Sequence, residues 1–141
     1  MPPPMITLDL EGSRSTYAPG ETLAASYRLH HVAADEVRAV EASVMWYTEG
    51  KGEEDIGMHD FWRRSVEAGD WIDPRRATPL TTTLPPSPLS YDGQIMKIRW
   101  CLRVRAFLTE GRELTAQGDF RLGSLPNRPP AKRRRTSASA I

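Results

Sequence analysis

The sequence predicts an all-β domain, an antiparallel two-sheet sandwich of seven or eight strands with no substantial helix. Three observations predict it. Five segments alternate apolar and polar residues at period two, which is the strand period and not the helical one. Turn signals separate them: Ala18-Pro19-Gly20-Glu21, Glu49-Gly50-Lys51-Gly52, Tyr91-Asp92-Gly93 and Glu110-Gly111-Arg112. Each strand has a single apolar face, the mark of an antiparallel sandwich and not of a parallel sheet covered on both sides.

The elements follow in chain order. Ile6, Leu8 and Leu10 alternate with Thr7 and Asp9, and Leu23, Ala25, Tyr27 and Leu29 alternate with Ala24, Ser26, Arg28 and His30. Val40, Ala42, Val44 and Trp46 alternate with Glu41, Ser43, Met45 and Tyr47. A further strand is expected around Gly57 to Val66, and the Thr-rich stretch Ala77 to Leu84 has the β-branched content of another. The clearest strand runs from Gln94 to Leu108. It puts Met96, Ile98, Trp100, Leu102, Val104, Ala106 and Leu108 on one face, with Lys97, Arg99, Cys101, Arg103 and Arg105 on the other. Leu114, Ala116, Gly118, Phe120 and Leu122 form the last apolar face. The turns Glu49–Gly52 and Glu110–Arg112 each join two strands as a hairpin.

A length of 141 residues fits one domain, and 39% hydrophobic against 26% charged residues supplies a core. No apolar run approaches the roughly 20 residues of a membrane span. Residues 1–4 read as a short leader without a signal-peptide pattern. The single cysteine, Cys101, can form no internal disulfide, which suits a reducing compartment. The net charge of +1 hides a division: residues 124–141 carry Arg128, Lys132, Arg133, Arg134 and Arg135 and no acid, leaving −4 on the other 123 residues. The tail's Pro, Ser and like charge make 124–141 a disordered basic segment by composition, with the domain boundary near Gly123.

Three segments together carry a family resemblance. Tyr17-Ala-Pro-Gly-Glu21 leads into a strand, and Leu84-Pro-Pro-Ser-Pro-Leu-Ser-Tyr-Asp-Gly93 precedes Ile98-Arg-Trp-Cys-Leu-Arg-Val-Arg105. In this order and spacing they resemble the N-terminal domain of arrestin-like proteins, over most of residues 5–123. That family shows a Pro/Gly-Gly-Glu turn, a Leu-Pro-Pro-Ser-(aromatic)-x-Gly turn and a strand of the type Ile-x-Tyr/Trp-x-Val-x-Val. The segment 84–105 is the specific part. The resemblance implies an arrestin-like, immunoglobulin-like sandwich used as a binding or scaffolding module. Arrestins proper carry two such domains and a buried charge cluster that senses receptor phosphates. This chain has room for one domain and reproduces no such cluster, so receptor binding is not implied. Physical reasons stand beside the motif. Gly20 and Gly93 are expected at positive φ, and Pro85, Pro86 and Pro88 keep the connection out of any central ladder. Trp100 is expected in the layer between the sheets.

Candidate binding residues are few. Lys97, Arg99, Arg103 and Arg105 form a basic stripe, suited either to an anionic partner or to pairing with acids on neighbouring strands. Phe61 and Trp62 are adjacent and face opposite ways; with Trp71 they are candidates for the rim of a protein-binding surface. Glu53-Glu54-Asp55 reads as a solvated hairpin tip. Lys132, Arg133, Arg134 and Arg135 suit nuclear import, a nucleic acid or anionic membrane surface, the placing of Thr136 or Ser137 for a basophilic kinase, or simple solvation.

Catalytic and metal readings find little support. Cys101 lies between two arginines, which lower a thiol pKa, yet it also reads as a small packing residue. His30 and His31 point to opposite faces, so a metal would need His59 and Asp60 to converge with others. No phosphate loop, dinucleotide, nucleophile-elbow, zinc-protease or calcium motif is present. The expectation is a non-enzymatic, cofactor-free adaptor in the cytoplasm, or the nucleus of a eukaryote, that binds a protein partner through sheet edges and loops. The alternatives are a nucleic-acid or anionic-surface binder using the tail and the stripe, or a small thiol or histidine enzyme using Cys101 or His59.

Overall fold

A computed structural model describes residues 2–123. The basic tail, with Lys132 and Arg133 to Arg135, lies outside the described residues. Nine strands form: β1 (Met5–Leu10), β2 (Thr16–Tyr17), β3 (Thr22–His30), β4 (Val37–Gly50), β5 (Ile56–Ser65), β6 (Thr78–Thr83), β7 (Tyr91–Asp92), β8 (Met96–Leu108) and β9 (Glu113–Leu122). Helix among the described residues is limited to three 3-10 turns of three residues each.

The strands make two layers. One sheet has the order β1-β3-β6 and the other β2-β9-β8-β4-β5, with β7 beside β8. Five of the seven longer strands are those expected from alternation, and β5 and β6 fall where the Gly57–Val66 and Thr-rich strands were expected. The two extra ones, β2 and β7, have two residues each. β9 pairs with β8 from Trp100 to Phe107, and β7 pairs with Ile98 and Lys97, where β9 has left off. All ladders are antiparallel except β2–β9, where Thr16 and Tyr17 run parallel to Arg121 and Leu122. The hairpins β4–β5 and β8–β9 form at the expected turns.

The core is the layer between the sheets. Leu23, Tyr27 and Leu29 from β3 face Val40, Val44, Leu102, Val104 and Phe120 from the larger sheet. Trp100 is 1% exposed there. Its ring packs on Phe120 at 5.9 Å and edge-on to His59 at 6.2 Å, and its Nε1–H donates to the Pro88 carbonyl at 2.7 Å. The proline-rich connection thus satisfies the one polar atom that burying the indole would orphan.

One expectation is corrected and one open choice is decided, for Cys101 in favour of the packing reading. Gly20 does take positive φ, 84°, but Gly93 does not. Gly93 is required instead by close approach: a Cβ would strike the Tyr91 ring and come within 2.7 Å of the Met96 carbonyl oxygen. Cys101 lies on the outer face as its position demands, yet it is fully buried. The register sets it between Met45, also buried, and Asp119. Burial pushes its thiol up to about 11, against the opposing pull of Arg103. Flanking arginines therefore do not activate it, because desolvation of the thiolate outweighs them.

Candidate interaction surface

The basic stripe occupies the outer face of the larger sheet, and its three arginines are each engaged by a side chain within the fold, two of them by carboxylates. Arg99 donates to Glu49 at 2.9 Å and lies 3.8 Å from Asp92. Arg105 pairs with Glu113 at 2.6 Å and covers the Phe107 ring. Arg103 donates from Nε and Nη2 to the Gln117 amide oxygen. Among the described residues Lys97 alone of the four has no such partner. Gln117 lies directly opposite Arg103, and Glu49 and Glu113 are diagonal cross-strand neighbours of Arg99 and Arg105, within reach of long side chains on a wet sheet face. Exposed pairs of this kind contribute about 0–1 kcal/mol each, but they leave little uncompensated charge to attract an anion.

The three aromatic candidates do not form one rim. Phe61 lies opposite Ser43 and is exposed on the outer face. Trp62 lies opposite Ala42 and packs against the core from the inner side. Trp71, 74% exposed, stands on the loop between β5 and β6, beside the buried Ile72. Trp62 and Trp71 thus share one side of the sandwich and Phe61 faces the other way.

Apolar residues not singled out from the sequence are also exposed. Ile56 and Met58 lie opposite Tyr47 and Met45 and extend the Phe61 face along β5. At the end of the sandwich where β4 stops and β8 begins, the exposed Tyr91, Ile95 and Met96 project together. Ile95 is 72% exposed. This end is ordered by its backbone: Gly93 N–H donates to the Met96 carbonyl at 3.0 Å and Lys51 N–H to the Ile95 carbonyl at 3.2 Å. Tyr91, Gly93, Gln94, Ile95 and Met96 surround an open concavity of about 500 Å³. The signal was present in the sequence: Ile95 and Met96 follow the Tyr91-Asp92-Gly93 turn after the single residue Gln94, an unusual place for two large apolar side chains.

The sheet edge is less available than the chain ends of its strands suggest. β5 is the outer strand of the larger sheet, and a bulge interrupts its pairing with β4 between Val44 and Met45. The Asp60 carboxylate accepts the Phe61 N–H at 2.9 Å. A bulge and an acid folded onto a strand's own amide are devices that blunt an edge against strand addition.

The catalytic alternatives do not converge. Cys101 faces outward, whereas the His59 ring points inward and meets the Thr83 carbonyl of the smaller sheet at 2.8 Å. His30 bonds the Thr7 hydroxyl at 2.8 Å. Among the described residues no three of His, Cys, Asp and Glu stand together as metal ligands, and no helix is long and apolar enough to cross a membrane.

No family model matches the chain, and no curated protein matches its sequence. Solved structures do. The sporulation control protein Spo0M of Bacillus subtilis superposes with a TM-score of 0.62 over 89% of this chain at 14% identity, and the chain spans 51% of that protein's length. The superoxide reductase (neelaredoxin) of Ignicoccus hospitalis gives a TM-score of 0.50 at 10% identity, over 84% of this chain and 80% of that one. At such identities the likeness concerns the fold alone, and the fold it shows is an arrestin-like, two-sheet β-sandwich.

Proposed function

We propose that this chain is a non-enzymatic protein-interaction module of the arrestin-like type, a cytoplasmic adaptor or scaffold that engages a protein partner through the loop end of its sandwich. The observation that carries this reading is the cluster of Tyr91, Ile95 and Met96. These apolar side chains are exposed together on hydrogen-bonded turns at one end of the domain. Exposing large apolar groups on an ordered turn forgoes the burial that stabilises the rest of the chain, about 25 cal/mol for each Å² left wet. A patch of this kind suits the apolar centre of a protein interface. The fold shared with Spo0M, a sporulation control protein, supports a regulatory setting.

The second reading, an anionic-surface or nucleic-acid binder, draws on the basic tail. The pairing of Arg99 and Arg105 with acids within the sheet leaves Lys97 and Arg103 as the stripe's contribution to that reading, beside the tail. One experiment separates the two. The full chain, the 1–123 truncation and the Ile95→Glu, Tyr91→Ser double variant are used as baits in native extract, with nuclease, at 50 and 200 mM salt. The adaptor reading expects the same proteins on the full chain and the truncation at both salts, and their loss with the double variant. Capture that disappears with the tail, the nuclease or the higher salt would instead identify counterion-driven binding.

A further inference from the structure

The side of the sandwich between β5 and β6 is closed at one end and open at the other. The two strands run antiparallel across the gap between the sheets. His59 closes the gap at Thr83, as its ring bonds that carbonyl and lies 3.2 Å from the Thr82 hydroxyl. Farther along, where Trp62 and Arg64 stand opposite Leu80 and Thr78, the sheets part. A crevice of about 80 Å³ opens there, with Tyr27, Val40, Trp62 and Leu80 as its apolar walls. Arg64, Thr78 and Pro79 line this crevice and also line a wider hollow of about 330 Å³. Trp71 and Arg76 complete the hollow on its outer side. Its size is at the lower end of small-ligand sites, which run from roughly 300 Å³ upward.

The charges at this mouth are unevenly compensated. Arg63 is paired with Glu41, and Arg38 with Glu67. Arg64 has no acidic or amide partner among the described residues. The mouth's one carboxylate, Asp73, is engaged by Arg75 at 3.2 Å and, at 3.8 Å, by Arg76. The loop that carries Trp71 is tied down on either side of Asp73 by buried Ile72 and Pro74. Trp71 is therefore held over the hollow by its neighbours while its own ring stays in solvent.

We infer that this cleft is a binding site for an apolar group that ends in a carboxylate. The apolar part enters between Tyr27, Trp62 and Leu80, Arg64 takes the carboxylate at the mouth, and the Trp71 ring covers the ligand from outside. An arginine fork with no internal partner beside an apolar slot matches that chemistry, because guanidinium–carboxylate pairing is planar and directional. Two sources present the same chemistry: a small branched-chain acid, and the C-terminus of a peptide ending in an apolar residue. The site is distinct from the loop end at Ile95, so the two proposals stand or fall separately.

The test is a ¹⁵N–¹H correlation titration of the full chain, read at the Trp71 indole N–H and at the Arg64, Thr78 and Leu80 amides. The probes are 4-methylpentanoate and acetyl-Gly-Gly-Leu, each beside its uncharged amide. The expected result is saturable shifts at those positions with at least one free acid, and binding at least fivefold weaker with the matching amide. Arg64→Gln is expected to weaken that acid about tenfold without changing the melting temperature, since Arg64 is exposed. Shifts with 4-methylpentanoate assign the site to small acids, and shifts with the peptide alone assign it to chain termini. No saturable shift with either acid at millimolar concentration overturns the inference. So does equal binding of acid and amide, or Arg64→Gln binding like the parent.

Discussion

The imidazole of His59, on the edge strand of the larger sheet, meets the carbonyl oxygen of Thr83, on the edge strand of the smaller sheet, at 2.8 Å. The two sheets share no backbone ladder, so this bond joins them directly across an open side. The bulge at Val44/Met45 makes it possible. Strict alternation back from the outward Phe61 would turn His59 outward; the extra residue that β5 carries at the bulge lets His59 face inward instead.

Removing that link is expected to loosen one side of the sandwich without unfolding it. His59→Ala should cost about 1–2 kcal/mol, from the lost hydrogen bond and the lost edge contact with Trp100. Chemical denaturation checks the size. Hydrogen exchange checks the place: amides of Thr81 to Thr83 should lose protection before those of β8. Unchanged exchange at β6 would show that the His59–Thr83 bond does not hold the sheets together in solution.

Trp100→Ala should be far more damaging. The ring is 1% exposed and contacts Phe120 and His59, and its N–H is the donor to Pro88. Losing that volume creates a cavity and orphans a carbonyl, for a cost of about 3–5 kcal/mol. Trp100→Phe should fall between, because it keeps most of the apolar area and loses the hydrogen bond. A normal melting curve for Trp100→Ala would contradict the placement of the core.

Trp100 also shows why so much of the fold could be read from the sequence. It sits in a run of alternating residues, and alternation fixes the face a side chain occupies. The same rule placed Leu102, Val104 and Ala106 correctly. Alternation does not give depth. Cys101 falls on the outer face as expected, yet it is as buried as its neighbours on the inner face, because Met45 and the long side chains of that face cover it. Nor does alternation find pairings of two residues, which is why β2, β7 and the parallel contact of β2 with β9 had no signature. The basic stripe was visible as a stripe, but its partners Glu49, Gln117 and Glu113 lie on strands 8 to 50 residues away, and only the register brings them within reach. The cleft beside Arg64 was invisible for the same reason: β5 and β6 line it from separate sheets.

The depth of Cys101 has a chemical consequence. With its thiol held up at about 11, Cys101 should resist thiol reagents at pH 8 in the native protein and react fully once denaturant is added. The pH dependence follows from the sign of the shift. The folded value lies above the unfolded one of about 8.5, so the contribution to stability is intact below pH 8.5 and is lost as pH rises toward 11. Cys101→Ser, which puts a hydroxyl in the same dry position, should cost about 1–3 kcal/mol. Rapid native-state labelling at pH 8 would mean that the outer face opens around Met45 and Cys101.

Tyr17 gives a test of the opposite sign. It is buried at the end of β2, edge-on to Phe120 at 5.5 Å, with the Arg14 guanidinium 4.3 Å over its ring. Arg14 is itself anchored to Glu21 at 2.9 Å and to the Thr16 carbonyl. These contacts all use the ring and none uses the hydroxyl, whose oxygen is buried without a hydrogen-bond partner. A buried polar group left unpaired is a net cost of about 1–3 kcal/mol, whereas the ring's contacts survive its removal. Tyr17→Phe should therefore leave stability unchanged or raise it by up to about 1 kcal/mol. Tyr17→Ala, which removes the ring, should lower it by about 3–5 kcal/mol. The pair of variants separates the two parts of one side chain by thermal or urea denaturation. A Tyr17→Phe protein clearly less stable than the parent would show that the hydroxyl is bonded in solution and that β2 depends on it.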